Sequence, residues 1–107
     1  MRLQQLQQTL QSVVAQKQQL ELELNETDKA LTELEKSTDD TPVYKSVGSI
    51  LVQANRQSLM GELKERKELL TTRVTVLGKQ EDRTRERLKD VQEKLQERLQ
   101  GPKTTSQ

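Results

Sequence analysis

The stretch Val43–Ala54 constrains the fold most, because it alone is typical of β-structure. Its β-branched, aromatic and aliphatic side chains form two runs on either side of Gly48-Ser49. Glycine at the first position of a two-residue loop favours a type II′ turn, so the stretch predicts a β-hairpin at 43–54. An isolated two-stranded hairpin is marginally stable in water. The strands are therefore expected to pair with strands of other chains, through Val43, Tyr44, Val47, Ile50, Leu51 and Val52.

The sequence before the hairpin predicts one long helix over residues 2–36. Its heptad seam alternates steps of three and four residues without a Gly or Pro, which is a strong coiled-coil signal. At 1.5 Å per residue such a helix is about 50 Å long. The seam positions, most of them aliphatic, are Leu3, Leu6, Leu10, Val13, Lys17, Leu20, Leu24, Thr27, Leu31 and Leu34.

Residues 37–42 predict the break between this helix and the hairpin, because they favour turns and Pro42 cannot continue a helix. A second helix is predicted over residues 56–99, with Asn55 or Ser58 as its N-cap. Gly101-Pro102 should end it, leaving a disordered tail at 100–107. Its seam positions are Met60, Leu63, Lys67, Leu70, Val74, Leu77, Glu81, Thr84, Leu88, Val91, Leu95 and Arg98.

Two heptad helices on either side of one turn region predict an antiparallel helical hairpin. In one register Thr27 lies near Lys67 and Val13 lies near Glu81. A slip of one heptad places Lys17 near Thr84 instead, and the sequence leaves both registers open. Either register brings the two chain ends together at the end away from the β-hairpin. The expected fold is mainly α, a single domain over residues 1–107, in which a coiled-coil helical hairpin is joined by one β-hairpin.

Composition excludes several classes of function. Hydrophobic residues make up 30% and charged residues 33% of the chain, which suits long helices better than a compact globule. A net charge of +1 argues against nucleic acid as the main partner. The sequence has no cysteine, no apolar run long enough to span a membrane and no signal-peptide segment at the start. These features predict a soluble cytoplasmic protein without membrane partners.

The residue types for catalysis are missing. The chain has no His and no Cys, which excludes the commonest general base and a thiol nucleophile. Asp39-Asp40 fall far short of a calcium loop and are better explained by turn formation and capping. The basic run at 83–89 is interleaved with acidic residues, which favours a solvated, ion-paired helix face. We predict no enzyme activity, no cofactor and no metal site.

The leucines at the ends of the two helices have two interpretations. They are either fraying seam residues or an apolar patch that binds exposed hydrophobic surface of another chain. Neighbouring glutamines would keep such a patch soluble without adding charge. The candidate binding residues are Leu3, Leu6, Leu10, Leu95 and Leu99.

The layout resembles the β-type subunit of prefoldin as found in archaea. The likeness runs from about Val13 to Leu99 and is most specific at 25–52. One hairpin, rather than two, is the β-type pattern. The residues that carry the resemblance are Gln16-Lys17-Gln18, Asn25-Glu26-Thr27, Lys29-Ala30-Leu31, Asp39-Asp40, Val43-Tyr44-Lys45-Ser46-Val47-Gly48 and Ile50-Leu51-Val52.

This resemblance implies a hetero-hexamer of two α-type and four β-type subunits, whose hairpins join into an intersubunit β-barrel. It also implies ATP-independent binding of unfolded client proteins at the coiled-coil tips and their transfer to a group II chaperonin. The main hypothesis is thus a holdase chaperone subunit. The alternative is a structural coiled-coil adaptor with one specific folded partner, which shares the fold but lacks broad client binding.

Overall fold

The computed structural model describes residues 2–100, which form two long helices and one β-hairpin. Helix α1 spans Arg2–Lys36, strands β1 and β2 span Val43–Val47 and Ile50–Ala54, and helix α2 spans Arg56–Gln100. This confirms the predicted helices and hairpin. Helix α2 continues one residue beyond its predicted end, because Gln100 supports a helix as well as its neighbours do. The rest of the predicted tail, 101–107, lies outside the described residues.

The chain divides into two units, and both helices contribute to each. We call Gln19–Val74 the hairpin unit, and Met1–Gln18 with Thr75–Gln107 the terminal unit. In the hairpin unit the start of α2 contacts the end of α1, since Arg56 donates to the Leu34 carbonyl. In the terminal unit the later part of α2 contacts the earlier part of α1, since Lys17 pairs with Glu81. Both units therefore hold the helices antiparallel.

Two ion pairs distinguish between the predicted registers of the hairpin unit. Arg66 Nη2 lies 3.0 Å from Glu23 Oε1, and Lys67 Nζ lies 2.9 Å from Asp28 Oδ1. Both pairs fit the register that places Thr27 near Lys67. A slip of one heptad would move Arg66 about 10 Å farther from Glu23 along the helix axis. The first register is therefore the one present in the hairpin unit. In the terminal unit Glu81 pairs with Lys17, one helical turn from the predicted neighbour Val13.

The seam provides the buried core, although two of its buried members are polar. Each of these threonines donates its hydroxyl to the carbonyl four residues earlier, Thr27 to Glu23 and Thr84 to Gln80, both at 2.8 Å. A threonine satisfied within its own turn can be buried without an unpaired polar atom. The buried apolar side chains are Val13, Leu31, Leu34, Leu70 and Leu77. Among the predicted seam positions, Lys67, Leu95 and Arg98 are instead exposed.

Replacing Leu70 by alanine should destabilise the chain strongly, because its side chain is only 3% exposed. Truncating a buried leucine typically costs about 2–5 kcal/mol of unfolding free energy. Its neighbour Leu69 is 52% exposed, so Leu69→Ala should change that free energy by less than about 0.5 kcal/mol. Urea unfolding followed by helical circular dichroism measures both. Equal losses of unfolding free energy in the two variants would show that the seam does not run through Leu70.

A polar layer interrupts the seam of the terminal unit. Lys17 Nζ lies 3.1 Å from Glu81 Oε1, and Arg85 Nη2 lies 2.8 Å from Glu81 Oε2. The hydrogen bond from Arg85, and then that from Lys17, hold the pKa of Glu81 below its ordinary value. Both cations favour the ionised carboxylate, which is only 15% exposed.

Acidification should therefore weaken the fold partly through Glu81. A carboxyl whose pKa is lower in the folded than in the unfolded chain stabilises the fold above its unfolded pKa. That contribution disappears as the pH falls through the folded pKa. We expect Glu81→Gln to lose less thermal stability than the wild type between about pH 5 and pH 3. Glu86→Gln, an exposed carboxylate of the same helix, is the control. If Glu81→Gln lost as much thermal stability as the wild type over this pH range, the proposed role of Glu81 would be contradicted.

Candidate functional site

The hairpin has the predicted register and turn. Val47 pairs with Ile50, and the ladder continues to Val43 opposite Ala54. Gly48 adopts a φ of 61°, and it is the only positive φ within the described residues. A negative φ at Ser49 excludes a type I′ turn, which needs two positive values, and agrees with type II′.

The predicted pairing residues are mostly exposed, and we call them the hairpin surface: Val43, Tyr44, Val47, Ile50, Leu51 and Val52. Leu51 is 73% and Ile50 is 60% exposed, whereas Val43 is half-buried. The sheet has two strands only, so each strand has one edge without a partner strand in the described chain. Exposed apolar side chains beside open sheet edges are the features that promote pairing with another chain.

Both faces of the hairpin carry apolar groups. Directly opposite residues of an antiparallel pair lie on one face. One face therefore presents Val52, Val47 and Ile50, and the other presents Tyr44 and Leu51. An antiparallel sheet with one solvated face would alternate apolar and polar residues more regularly. Apolar groups on two faces therefore leave the hairpin without a uniformly polar face.

The base of the hairpin is attached to helix α2, which the sequence did not indicate. Lys45 Nζ lies 3.6 Å from Glu62 Oε1, and Ala54 is half-buried. Asn55 caps α2, because its Oδ1 accepts a bond of 3.0 Å from the Ser58 amide. Of the two predicted caps, Asn55 is therefore the correct one. Helix α2 therefore lies beside the base of the hairpin, whereas the turn end of the hairpin is exposed.

Four of the five predicted leucines of the terminal unit line two clefts. We call the five of them the leucine surface: Leu3, Leu6, Leu10, Leu95 and Leu99. Leu3, Leu95 and Leu99 line a cleft of about 480 Å³ together with the side chain of Lys89. Leu99 is 79% and Leu95 is 43% exposed. The structure therefore brings apolar residues from opposite ends of the sequence into one open cleft, which polar residues also line.

The second cleft, of about 470 Å³, has a more polar lining. Leu6 and Val91 line it, together with Arg2, Arg87 and Asp90. The fifth leucine, Leu10, is half-buried and so offers less surface to a partner than the exposed leucines. Both clefts are lined by apolar and charged residues together, unlike the mostly apolar pockets that bind small molecules.

The described residues contain no candidate metal site. Between residues 2 and 100, no group of three or more acidic side chains could hold a metal ion. Asp39, part of the acidic pair in the turn, accepts a bond from Arg56. No helix within the same range is long and apolar enough to cross a membrane.

Sequence reasoning overlooked Arg56, the first residue of α2. Its guanidinium contacts the end of α1 and the turn before the hairpin. A cation at a helix N-terminus opposes the helix dipole, and this local mismatch was the signal that could have identified it.

Comparison with known proteins decides the family. A family sequence model described as "Prefoldin subunit" matches residues 1–102. The chain belongs to the prefoldin family. "Prefoldin subunit beta" of Archaeoglobus fulgidus is 48% identical over 97 residues, which are 91% of this chain and 84% of that relative. The Pyrobaculum calidifontis protein of that description is 50% identical over 95 residues, covering 89% and 76%.

Solved structures agree with this family. The crystal structure of the prefoldin beta subunit from Thermococcus strain KS-1 matches with a TM-score of 0.84 at 42% identity, covering 94% of this chain and 89% of that one. The prefoldin beta2 subunit from the same strain matches at a TM-score of 0.74, and at 21% identity it supports the fold alone. The resemblance to the prefoldin β type is therefore confirmed. Prefoldins are chaperone subunits that assemble with other prefoldin subunits, rather than a class of enzymes.

Proposed function

We propose that this prefoldin chain is a subunit of an ATP-independent holdase, acting in the cytoplasm. It assembles through the hairpin surface with other copies and with α-type subunits, as two α and four β chains around an intersubunit β-barrel. It binds unfolded proteins at the leucine surface of its coiled-coil tip and passes them to a group II chaperonin.

The distribution of exposed apolar side chains carries this proposal. Ten large hydrophobic side chains are exposed within the described residues. Five of them lie on the hairpin surface and two on the leucine surface, leaving Leu22, Leu69 and Val76 elsewhere. The concentration of apolar exposure on the hairpin marks an interaction site rather than ordinary surface. Leu95 and Leu99 are joined by Leu3 in one cleft, which distinguishes them from the three exposed residues elsewhere.

The two surfaces differ in what they can bind. The hairpin surface combines apolar side chains with open strand edges, which need a partner strand in a fixed register. The leucine surface is helical and has no free backbone edge, so it offers non-directional apolar burial at about 25 cal/mol per Å². Fixed pairing suits permanent assembly, and non-directional burial suits reversible binding of varied unfolded chains. Several such weak sites acting on one client would raise its overall affinity.

The direct test is suppression of aggregation without nucleotide. The chain is assembled with an α-type prefoldin subunit, and a chemically denatured protein is diluted into the mixture while light scattering is recorded. Suppression of scattering for several unrelated clients, unaffected by ATP, is the expected result. Cross-linking to one defined folded partner, with no effect on any aggregating client, would favour the adaptor instead.

A further inference from the structure

Arg56 occupies a position where local physics disfavours it. It is the first residue of helix α2, and the first turn of α2 contains no acidic residue to offset it. The amino end of a helix carries partial positive charge, so a cation there is unfavourable. Nevertheless, its side chain is only 15% exposed. Interactions outside its own helix must therefore hold it in place.

Those interactions are with the end of α1. Arg56 Nε donates to the Leu34 carbonyl at 2.9 Å and to Ser37 Oγ at 3.1 Å. Ser37 also donates to the Leu34 carbonyl, from its hydroxyl at 2.8 Å and its amide at 3.2 Å. The carboxyl end of α1 carries partial negative charge, which a buried guanidinium stabilises. Arg56 therefore links the negative end of one helix to the start of the other.

The same side chain also holds the turn that leads into the hairpin. Arg56 Nη1 donates to Asp39 Oδ1 at 3.0 Å, and Gln57 Nε2 lies 3.4 Å from the same oxygen. Thr38 and Thr41 close this turn, since the Thr41 amide donates to the Thr38 carbonyl at 3.0 Å. Both connections to the hairpin are thereby fixed, because on the other side only Asn55 separates β2 from α2.

We propose that Arg56 is a positioning residue, which sets the direction in which the hairpin surface is presented to neighbouring subunits. This inference rests on the proposed assembly through that surface. Arginine suits the role because its planar fork donates to a carbonyl and a carboxylate at once, which the single ammonium of lysine cannot reproduce. Without it the strands would still pair, but their direction relative to the helices would vary.

The test compares Arg56→Gln and Arg56→Lys with Arg66→Gln. Arg66 is a matched control in the same unit, since it also pairs with a carboxylate across the helices at 3.0 Å but is 56% exposed. Each full-length variant is mixed with an α-type prefoldin subunit, and assembly is measured by native mass spectrometry over a range of concentrations. We expect Arg56→Gln to need at least tenfold more protein for half-assembly, Arg56→Lys to recover little of this loss, and Arg66→Gln to match the wild type. Unchanged assembly of Arg56→Gln would overturn the inference.

A distance measurement separates positioning from general stability. The chain has no cysteine, so Lys36→Cys and Ser49→Cys allow two spin labels, one at the end of α1 and one in the hairpin turn. In the unassembled full-length chain, Arg56→Gln should broaden the distance distribution while helical circular dichroism stays unchanged. The inference would be overturned if the doubly labelled chain gave an equally narrow distance distribution with and without Arg56→Gln. If the unlabelled wild-type chain fails to assemble with the α-type subunit, the proposed function fails, and this distance still decides the role of Arg56.

Discussion

Replacing Ile50 and Leu51 with aspartate should abolish assembly with other prefoldin subunits. These two side chains are the most exposed of the hairpin surface. Burying each at an interface contributes about 1.5–3 kcal/mol, so losing both weakens assembly by about 10²- to 10⁴-fold. Two unpaired carboxylates in an apolar interface add a further penalty. Size-exclusion chromatography with light scattering should show the hexamer mass replaced by single chains and small complexes.

A matched control removes the objection that any exposed charge disrupts assembly. Leu22 is 54% exposed on helix α1, outside both proposed surfaces. Leu22→Asp should therefore leave the hexamer intact. If the hairpin variant assembles as well as Leu22→Asp does, these side chains are not part of the subunit interface.

Replacing Leu95 and Leu99 with glutamine should abolish most client protection while leaving the hexamer intact. Both leucines are exposed, so their replacement costs the folded chain little. Each client segment would lose about 1.5–3 kcal/mol of apolar burial per leucine, and the loss recurs at every tip that holds the client. The concentration of complex that halves client aggregation should rise at least tenfold.

The control for this experiment is Leu22→Gln with Leu69→Gln, which removes two leucines of similar exposure from the hairpin unit. That variant should protect clients as well as the wild type does. Removal of residues 1–10 together with 95–107 should also abolish protection and keep the hexamer. Full protection by the truncated form, or by Leu95→Gln with Leu99→Gln, would show that clients bind elsewhere.

Much of the fold was predictable because its determinants are local. Heptad spacing depends on neighbours three and four residues apart, so both helices could be predicted to within one residue of their ends. The hairpin followed from Gly48, whose positive φ suits the turn that the spacing demanded. Polar seam positions were also identified, since Thr27 and Thr84 are buried and satisfied within their own turns.

What could not be predicted depends on contacts across the chain. The helix register follows from which long charged side chains meet, such as Arg66 with Glu23, and the heptad pattern alone permits both registers. Lys67 is exposed although it occupies a predicted seam position, and its ammonium group pairs with Asp28 outside the seam. Arg56 was overlooked because its partners lie 17–22 residues away in sequence.

The mass of the purified chain in solution, alone and with an α-type prefoldin subunit, tests the central claim most directly. Open strand edges and apolar side chains on both faces of the hairpin favour pairing with other subunits. We therefore expect the mixture to give the mass of a hexamer with two α-type and four β-type chains. A well-folded monomer at every concentration, with or without that subunit, would contradict the account.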